Sequence, residues 1–129
     1  MNHSNNTPKP TAKELEILQI LWKMGSCSVK EVHEQLGGVS TNGYTTILKI
    51  LQIMTEKGLV TREKEGKLHL YKPAHSQENT SKAMLDKIID SVFDGSASSL
   101  VLSALGNRKS SKEELKEIRA YLDKLEGTK

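Results

Sequence analysis

The chain has 129 residues, 36% of them hydrophobic and 27% charged, with a formal net charge of +3. That length suits one small domain with a modest core, or such a domain plus an oligomerisation segment, and argues against a large enzyme. A single Phe and a single Trp leave little for a base-stacking surface on single strands, so duplex binding suits the composition better, and the one cysteine excludes an internal disulfide.

Met1 to Pro10 is polar, carries two prolines and reads as a disordered arm. Thr11 followed by Glu14 has the spacing of a capping box, and Leu15, Ile17, Leu18, Leu21 and Trp22 continue at helical period until Gly25. This predicts a first helix over about Thr11 to Met24. Ser28 with Glu31 repeats the box, and Val29, Val32 and Leu36 predict a short amphipathic second helix that ends at Gly37-Gly38. A tight loop from Gly38 to Gly43 then leads into a third helix over residues 43–57. There Ile47, Ile50, Leu51 and Met54 fall at i, i+3, i+4 and i+7 and make a core-facing stripe. Thr46, Lys49 and Ile53 lie on a different stripe, with Thr45 beside its start. Short hydroxyl side chains and a cation near a helix start are what a helix-turn-helix protein sets against base edges and phosphates in the major groove.

After Gly58 the pattern alternates, with Leu59 to Lys64, a turn at Glu65-Gly66, and Lys67 to Tyr71 before Pro73, which predicts a β-hairpin. Three helices followed by a two-stranded hairpin is the order of a winged helix-turn-helix domain, here residues 11–75 with the wing over 59–72. The hairpin tip carries Lys64 and Lys67 where a wing meets phosphate or the minor groove, although lysines on a hairpin also serve solubility alone. Residues 1–75 hold ten Lys or Arg against seven Asp or Glu, and residues 76–129 hold nine against nine. The whole positive excess therefore sits in the front part, as expected of a polyanion-binding surface.

Residues 76–129 read as a helical dimerisation region, so the predicted class is mainly α. Met84, Leu85, Ile88, Ile89, Val92 and Phe93 make one apolar face that Asp94-Gly95 ends. Leu100, Val101, Leu102, Ala104 and Leu105 fall in a second segment, stopped by Gly106-Asn107. A third, opened by Ser110 with Glu113, places Leu115, Ile118, Leu122 and Leu125 on one side. Roughly 50 residues bearing three apolar faces cannot cover them alone. A second copy is the expected cover, and a two-fold dimer would set two winged domains on a pseudo-palindromic site. Packing back onto the winged domain of the same chain is the alternative.

No stretch approaches the roughly 18 apolar residues of a membrane span or the core of a signal peptide, so the expected location is the cytoplasm, without membrane insertion. His3, His33, His69 and His75 lie in separate segments, and no Cys, Asp or Glu stands at a metal-ligand or triad spacing with any of them. No catalytic residue, metal or cofactor is therefore expected. Cys27 beside the cap of the second helix is either a small core residue or, with a thiol pKa lowered by the helix end, a redox switch.

Taken together, Leu15-Glu16-Ile17-Leu18 with Leu21-Trp22, Val29-Lys30-Glu31-Val32, Tyr44-Thr45-Thr46 with Leu51, Lys57-Gly58-Leu59-Val60, Tyr71-Lys72-Pro73, and Phe93-Asp94-Gly95-Ser96 with Leu100-Val101 form an ordered set. From about Pro10 to Glu126 the chain resembles the penicillinase-repressor family of bacterial winged-helix repressors, which includes the β-lactamase and methicillin-resistance repressors. The resemblance implies a homodimer that binds operator DNA. It implies that Thr45, Thr46 and Lys49 face bases or phosphates, with Thr46 foremost in base readout, that Ser28 and Lys30 clamp the backbone, and that Arg62, Lys64 and Lys67 of the wing add contacts. Leu85, Ile88, Ile89, Val92, Phe93, Leu100, Val101, Leu115, Ile118 and Leu122 would form the dimer interface.

The sequence departs from the family's pattern at two places. Many relatives carry Arg where Ile53 stands, so Ile53 is expected to pack against the first helix or to touch a thymine methyl. In antibiotic-responsive relatives a membrane sensor protease triggers cleavage at an Asn-Phe bond after a Leu-Val-Leu run, whereas here Leu100-Val101-Leu102 precedes Ser103-Ala104. A copper-responsive role is also unsupported, since one cysteine offers no thiolate pair. The expected function is transcriptional repression through a pseudo-palindromic operator. The alternative is a winged-helix module whose third helix docks a protein groove, and no residue constellation supports an enzyme.

Overall fold

The computed structural model describes residues 7–37 and 43–127. It is mainly helical, in the order α1 (Ala12–Met24), α2 (Val29–Gln35), α3 (Tyr44–Glu56), β1 (Val60–Glu65), β2 (Leu68–Pro73), α4 (Gln77–Val92), α5 (Ala97–Asn107) and α6 (Lys112–Leu125). The expected loop from Gly38 to Gly43 lies, but for Gly43, outside the described residues. The chain divides into two compact units, Met1–Lys87 and Ile88–Lys129.

In the first unit the helices start where the sequence offers caps. The Thr11 hydroxyl accepts from the Glu14 N–H (3.2 Å) while Glu14 Oε1 accepts from the Thr11 N–H (2.9 Å). Ser28 and Glu31 close the same reciprocal pair at the start of α2. Such a box satisfies donors that the first helical turn leaves orphaned. The helices present Ile17, Leu18 and Leu21 from α1, Val29 and Val32 from α2, and Ile47, Leu51 and Met54 from α3, all buried. Leu59, Val60 and Tyr71 close this core from the hairpin. Burying each such side chain contributes about 1.5 to 3 kcal/mol.

The hairpin is antiparallel and pairs Val60 with Pro73, Arg62 with Tyr71, Lys64 with His69, and Glu65 with Leu68. Its loop is therefore Gly66-Lys67, one residue beyond the expected Glu65-Gly66. Gly66 takes φ 66 and Lys67 does not go positive. A positive φ at the first loop position alone marks a type II′ turn, and only glycine enters it without strain. Outside the hairpin, Cys27 and Tyr71 exchange backbone hydrogen bonds (2.9 and 2.8 Å), which stitches the segment before α2 to β2.

Two sequence expectations shift in this unit. Thr7 and Pro10, inside the stretch expected to be a disordered arm, are buried. The break expected around residue 75 is tied down rather than free. The Ala74 N–H donates to the Leu59 carbonyl (3.0 Å), and the Trp22 indole N–H donates to the His75 carbonyl (3.0 Å). Thr80 and Ala83 in α4 are buried as well. The unit accordingly runs on into α4 and ends at Lys87 instead of residue 75.

In the second unit α4 ends before Asp94 and Gly95, which take φ 55 and 82. Asp and Gly are among the few residue types that visit this left-handed region readily. Ser96 caps α5, which ends at Asn107, at the Gly106-Asn107 pair where a stop was expected. α6 opens on a box between Ser111 and Glu114, not between Ser110 and Glu113. Ser110-Ser111-Lys112-Glu113-Glu114 contains two overlapping boxes of equal spacing. The one used sets both glutamates in the first turn, against the positive helix end, and keeps the weak helix former Ser111 out of the helix. Neither α5 nor α6 has a buried residue.

Candidate nucleic-acid interface

One side of α3 is consumed by the core, and the other is open. Thr45, Thr46, Lys49, Gln52, Ile53 and Glu56 are all exposed, and Tyr44 at the helix start is 50% exposed. Thr45, Lys49, Gln52 and Glu56 follow one another at i, i+4, i+7 and i+11 along the middle of this face, with Thr46 and Ile53 beside them. The start of α3 differs from those of α1 and α2: Gly43 supplies no side-chain cap, and no acidic residue stands in the first turn. Its positive end is left uncompensated, a condition that favours an approaching phosphate.

α3 is held at its far end. Lys57 Nζ donates to both oxygens of Glu14, at 2.7 and 2.9 Å, across 43 residues of sequence. Burial is the largest single influence on Glu14 and pushes its pKa up, but the Lys57 and Thr11 hydrogen bonds together outweigh it, and the carboxyl sits below its ordinary value. Glu14 thus caps α1 and clamps the end of α3 at once.

Strand alternation sorts the wing by charge. Arg62, Lys64 and His69 share the hairpin face that carries Val60 and Tyr71 into the core, while Glu63, Glu65, Leu68, Leu70 and Lys72 share the other. Lys72 and Glu63 pair across that second face at 3.8 Å. Lys67 occupies the loop. Among the described residues the ion pairs engage Lys13, Lys57 and Lys72, and none involves Lys30, Lys49, Arg62, Lys64 or Lys67, which are all exposed.

The structure separates the expected contact residues into two groups. Lys30, Thr45, Thr46, Lys49, Arg62, Lys64 and Lys67 stand on the surface. Ser28 does not: it is 6% exposed, and its hydroxyl caps α2 by accepting from the Glu31 N–H. Buried and engaged in this way, the hydroxyl is not presented to a DNA backbone. Of the two expectations for Ile53, packing against the first helix is not met, since at 44% exposure it does not enter the core behind α1. Its position on the wheel explains this, because the core stripe runs through Ile47, Leu51 and Met54. Cys27 is 1% exposed, and burial, then the charge of Glu31, pushes its thiol pKa up, against a redox switch.

Gln52 and the Glu14–Lys57 pair are not among the residues expected from the sequence. The period that placed Lys49 also places Gln52 three residues on, so that signal was present. The pair has no local signature. Among the described residues no group of three or more His, Cys, Asp or Glu is arranged to hold a metal ion, and no single helix is long and apolar enough to cross a membrane.

Residues 10–124 match the family model described as penicillinase repressor. The penicillinase repressor of Bacillus licheniformis is 28% identical over 116 residues, covering 90% of this chain and 91% of that protein. The methicillin resistance regulatory protein MecI of Staphylococcus aureus strain N315 is 24% identical over 120 residues, covering 93% and 98%. Among solved structures, the Bacillus licheniformis BlaI monomeric form in complex with the blaP half-operator aligns with a TM-score of 0.50 and 30% identity. That alignment covers 57% of this chain and 90% of that one. The DNA binding domain of the repressor BlaI aligns with a TM-score of 0.50 and 29% identity, covering 58% and 92%.

Proposed function

This chain belongs to the penicillinase repressor family, a family of transcriptional repressors, and from that premise we propose that it represses transcription by binding a pseudo-palindromic operator as a homodimer. In this reading α3 enters the major groove and the β1–β2 wing follows the backbone. The observation that carries the reading is the open face of α3 together with the unpaired cations on α2, α3 and the Arg62–Lys64 face of the wing. Thr45, Thr46 and Gln52 supply hydrogen-bonding groups for base edges, and Lys30, Lys49, Arg62, Lys64 and Lys67 supply phosphate contacts. A repressor of bacterial promoters acts in the cytoplasm.

The second copy is supported by what the second unit leaves uncovered. Ile88, Val92, Val101, Leu102, Leu122 and Leu125 are 43% to 69% exposed, as is Leu85 just before them. Ile89, Phe93, Leu100, Leu115 and Ile118 are only half-buried. We assign these faces to the homodimer interface. A membrane sensor protease is a further partner in this reading. The family's cut site would fall inside α5, where Leu102 is 69% exposed and Ser103 half-buried, so cleavage there requires local unwinding.

Fluorescence anisotropy tests the central claim, with duplex from the chain's own promoter against scrambled duplex across a salt series. Tighter binding of the promoter duplex at each salt concentration is expected, and Lys49→Ala should weaken binding broadly and flatten the salt slope by about one unit or less. Equal affinity for both duplexes at every salt concentration would overturn specific repression and leave α3 as a protein-docking helix.

A further inference from the structure

We propose that Ile53 is a base-reading residue that takes the C5-methyl of a thymine, so that one thymine in each half-site is fixed by an apolar contact. The inference rests on the operator reading above and deepens it. α3 does not need Ile53 for folding: Ile47, Leu51 and Met54 fill its core side at 0% exposure, while Ile53 stands 44% exposed. It lies on the open face, one turn beyond Lys49 and two turns beyond Thr46.

The chemistry of the side chain then selects its partner. Ile53 has no atom that can donate or accept a hydrogen bond, so it cannot satisfy the polar edge of guanine, adenine or cytosine. In the major groove only thymine shows an apolar group, its C5-methyl. A β-branched side chain in a helix keeps one strongly preferred χ1 rotamer, so Ile53 offers a fixed apolar surface at little entropic cost. Seven residues of helix separate it from Thr46, a rise of about 10 Å. At about 3.4 Å per base step this puts the thymine up to about three base pairs from the pair that Thr46 reads.

The test uses the full chain and deletes the methyl from the DNA. High-affinity duplexes are selected from a random library, and each thymine in the selected site is replaced in turn by deoxyuridine in both half-sites. At one position per half-site the swap should lower affinity about threefold to fivefold per half-site, the scale of one methyl taken out of water. Ile53→Ala should bind the thymine duplex as weakly as the unaltered protein binds the deoxyuridine duplex, and should ignore the swap. A selected site indifferent to every swap, or an Ile53→Ala protein that keeps the full methyl preference, overturns the inference alone. Recovery of no preferred duplex at all overturns the operator reading and this inference with it.

Discussion

Both units of this chain are built from capped amphipathic helices, yet they differ in what covers the apolar faces. In Met1–Lys87 the faces of α1, α2 and α3 meet one another and the hairpin, and the resulting core is closed. In Ile88–Lys129 the same helical pattern leaves every described residue at least partly exposed. A periodic sequence thus specifies which side of a helix seeks cover without saying where the cover comes from. In the first unit it comes from residues distant in the same chain. In the second, the proposed homodimer supplies it from another copy.

Four substitutions break or sharpen this contrast. The largest effect belongs to Leu51→Ala at the centre of the first core, which should lower the unfolding free energy by about 2 to 5 kcal/mol in urea denaturation. Leu122→Asp in the second unit should barely change that stability. It should instead abolish self-association in sedimentation, leaving a 14.3 kDa species, and weaken operator binding by about tenfold or more as the two half-sites uncouple. An unaltered chain that sediments as 14.3 kDa at micromolar concentration would remove the contrast's second half.

Glu14→Gln tests the clamp on α3 and should cost about 1 to 2 kcal/mol, because it removes one partner of a pair whose carboxylate is buried and whose ammonium is partly in water. The folded pKa of Glu14 lies below its unfolded one. Its contribution is therefore present above the unfolded value, about 4.3, and is lost as pH falls through the folded value. Denaturation midpoints should fall over that acid range in the unaltered protein and less steeply in Glu14→Gln. The smallest effect is expected from Tyr71→Phe. The Tyr71 hydroxyl is fully buried and, among the described residues, finds no hydrogen-bond partner. Its removal should leave stability unchanged or raise it by up to about 1 kcal/mol.

The sequence was most informative where structure is set within one or two turns. The boxes at Thr11 and Ser28, the core stripe of α3 and the order of three helices and a hairpin were all readable from periodicity and caps. It was less informative where two local solutions compete, as with Ser110 against Ser111 or Glu65-Gly66 against Gly66-Lys67. Nothing local separates such alternatives by more than a fraction of the energy that tertiary packing commands. Contacts between distant residues carried no signature at all. Lys57 with Glu14, Trp22 with His75 and Cys27 with Tyr71 became visible only in three dimensions, and with them the continuation of the first unit into α4.

The wing's register has a consequence of its own. Basic and acidic residues alternate along β1 as Arg62, Glu63, Lys64 and Glu65, so pleating alone decides which sign faces which way. Sliding the strand by one position would exchange the two rows and invert the wing's electrostatic polarity without altering a single residue type. Within such a hairpin, then, one inserted or deleted residue could reverse the sign a passing phosphate meets, a change that a count of charges would never record.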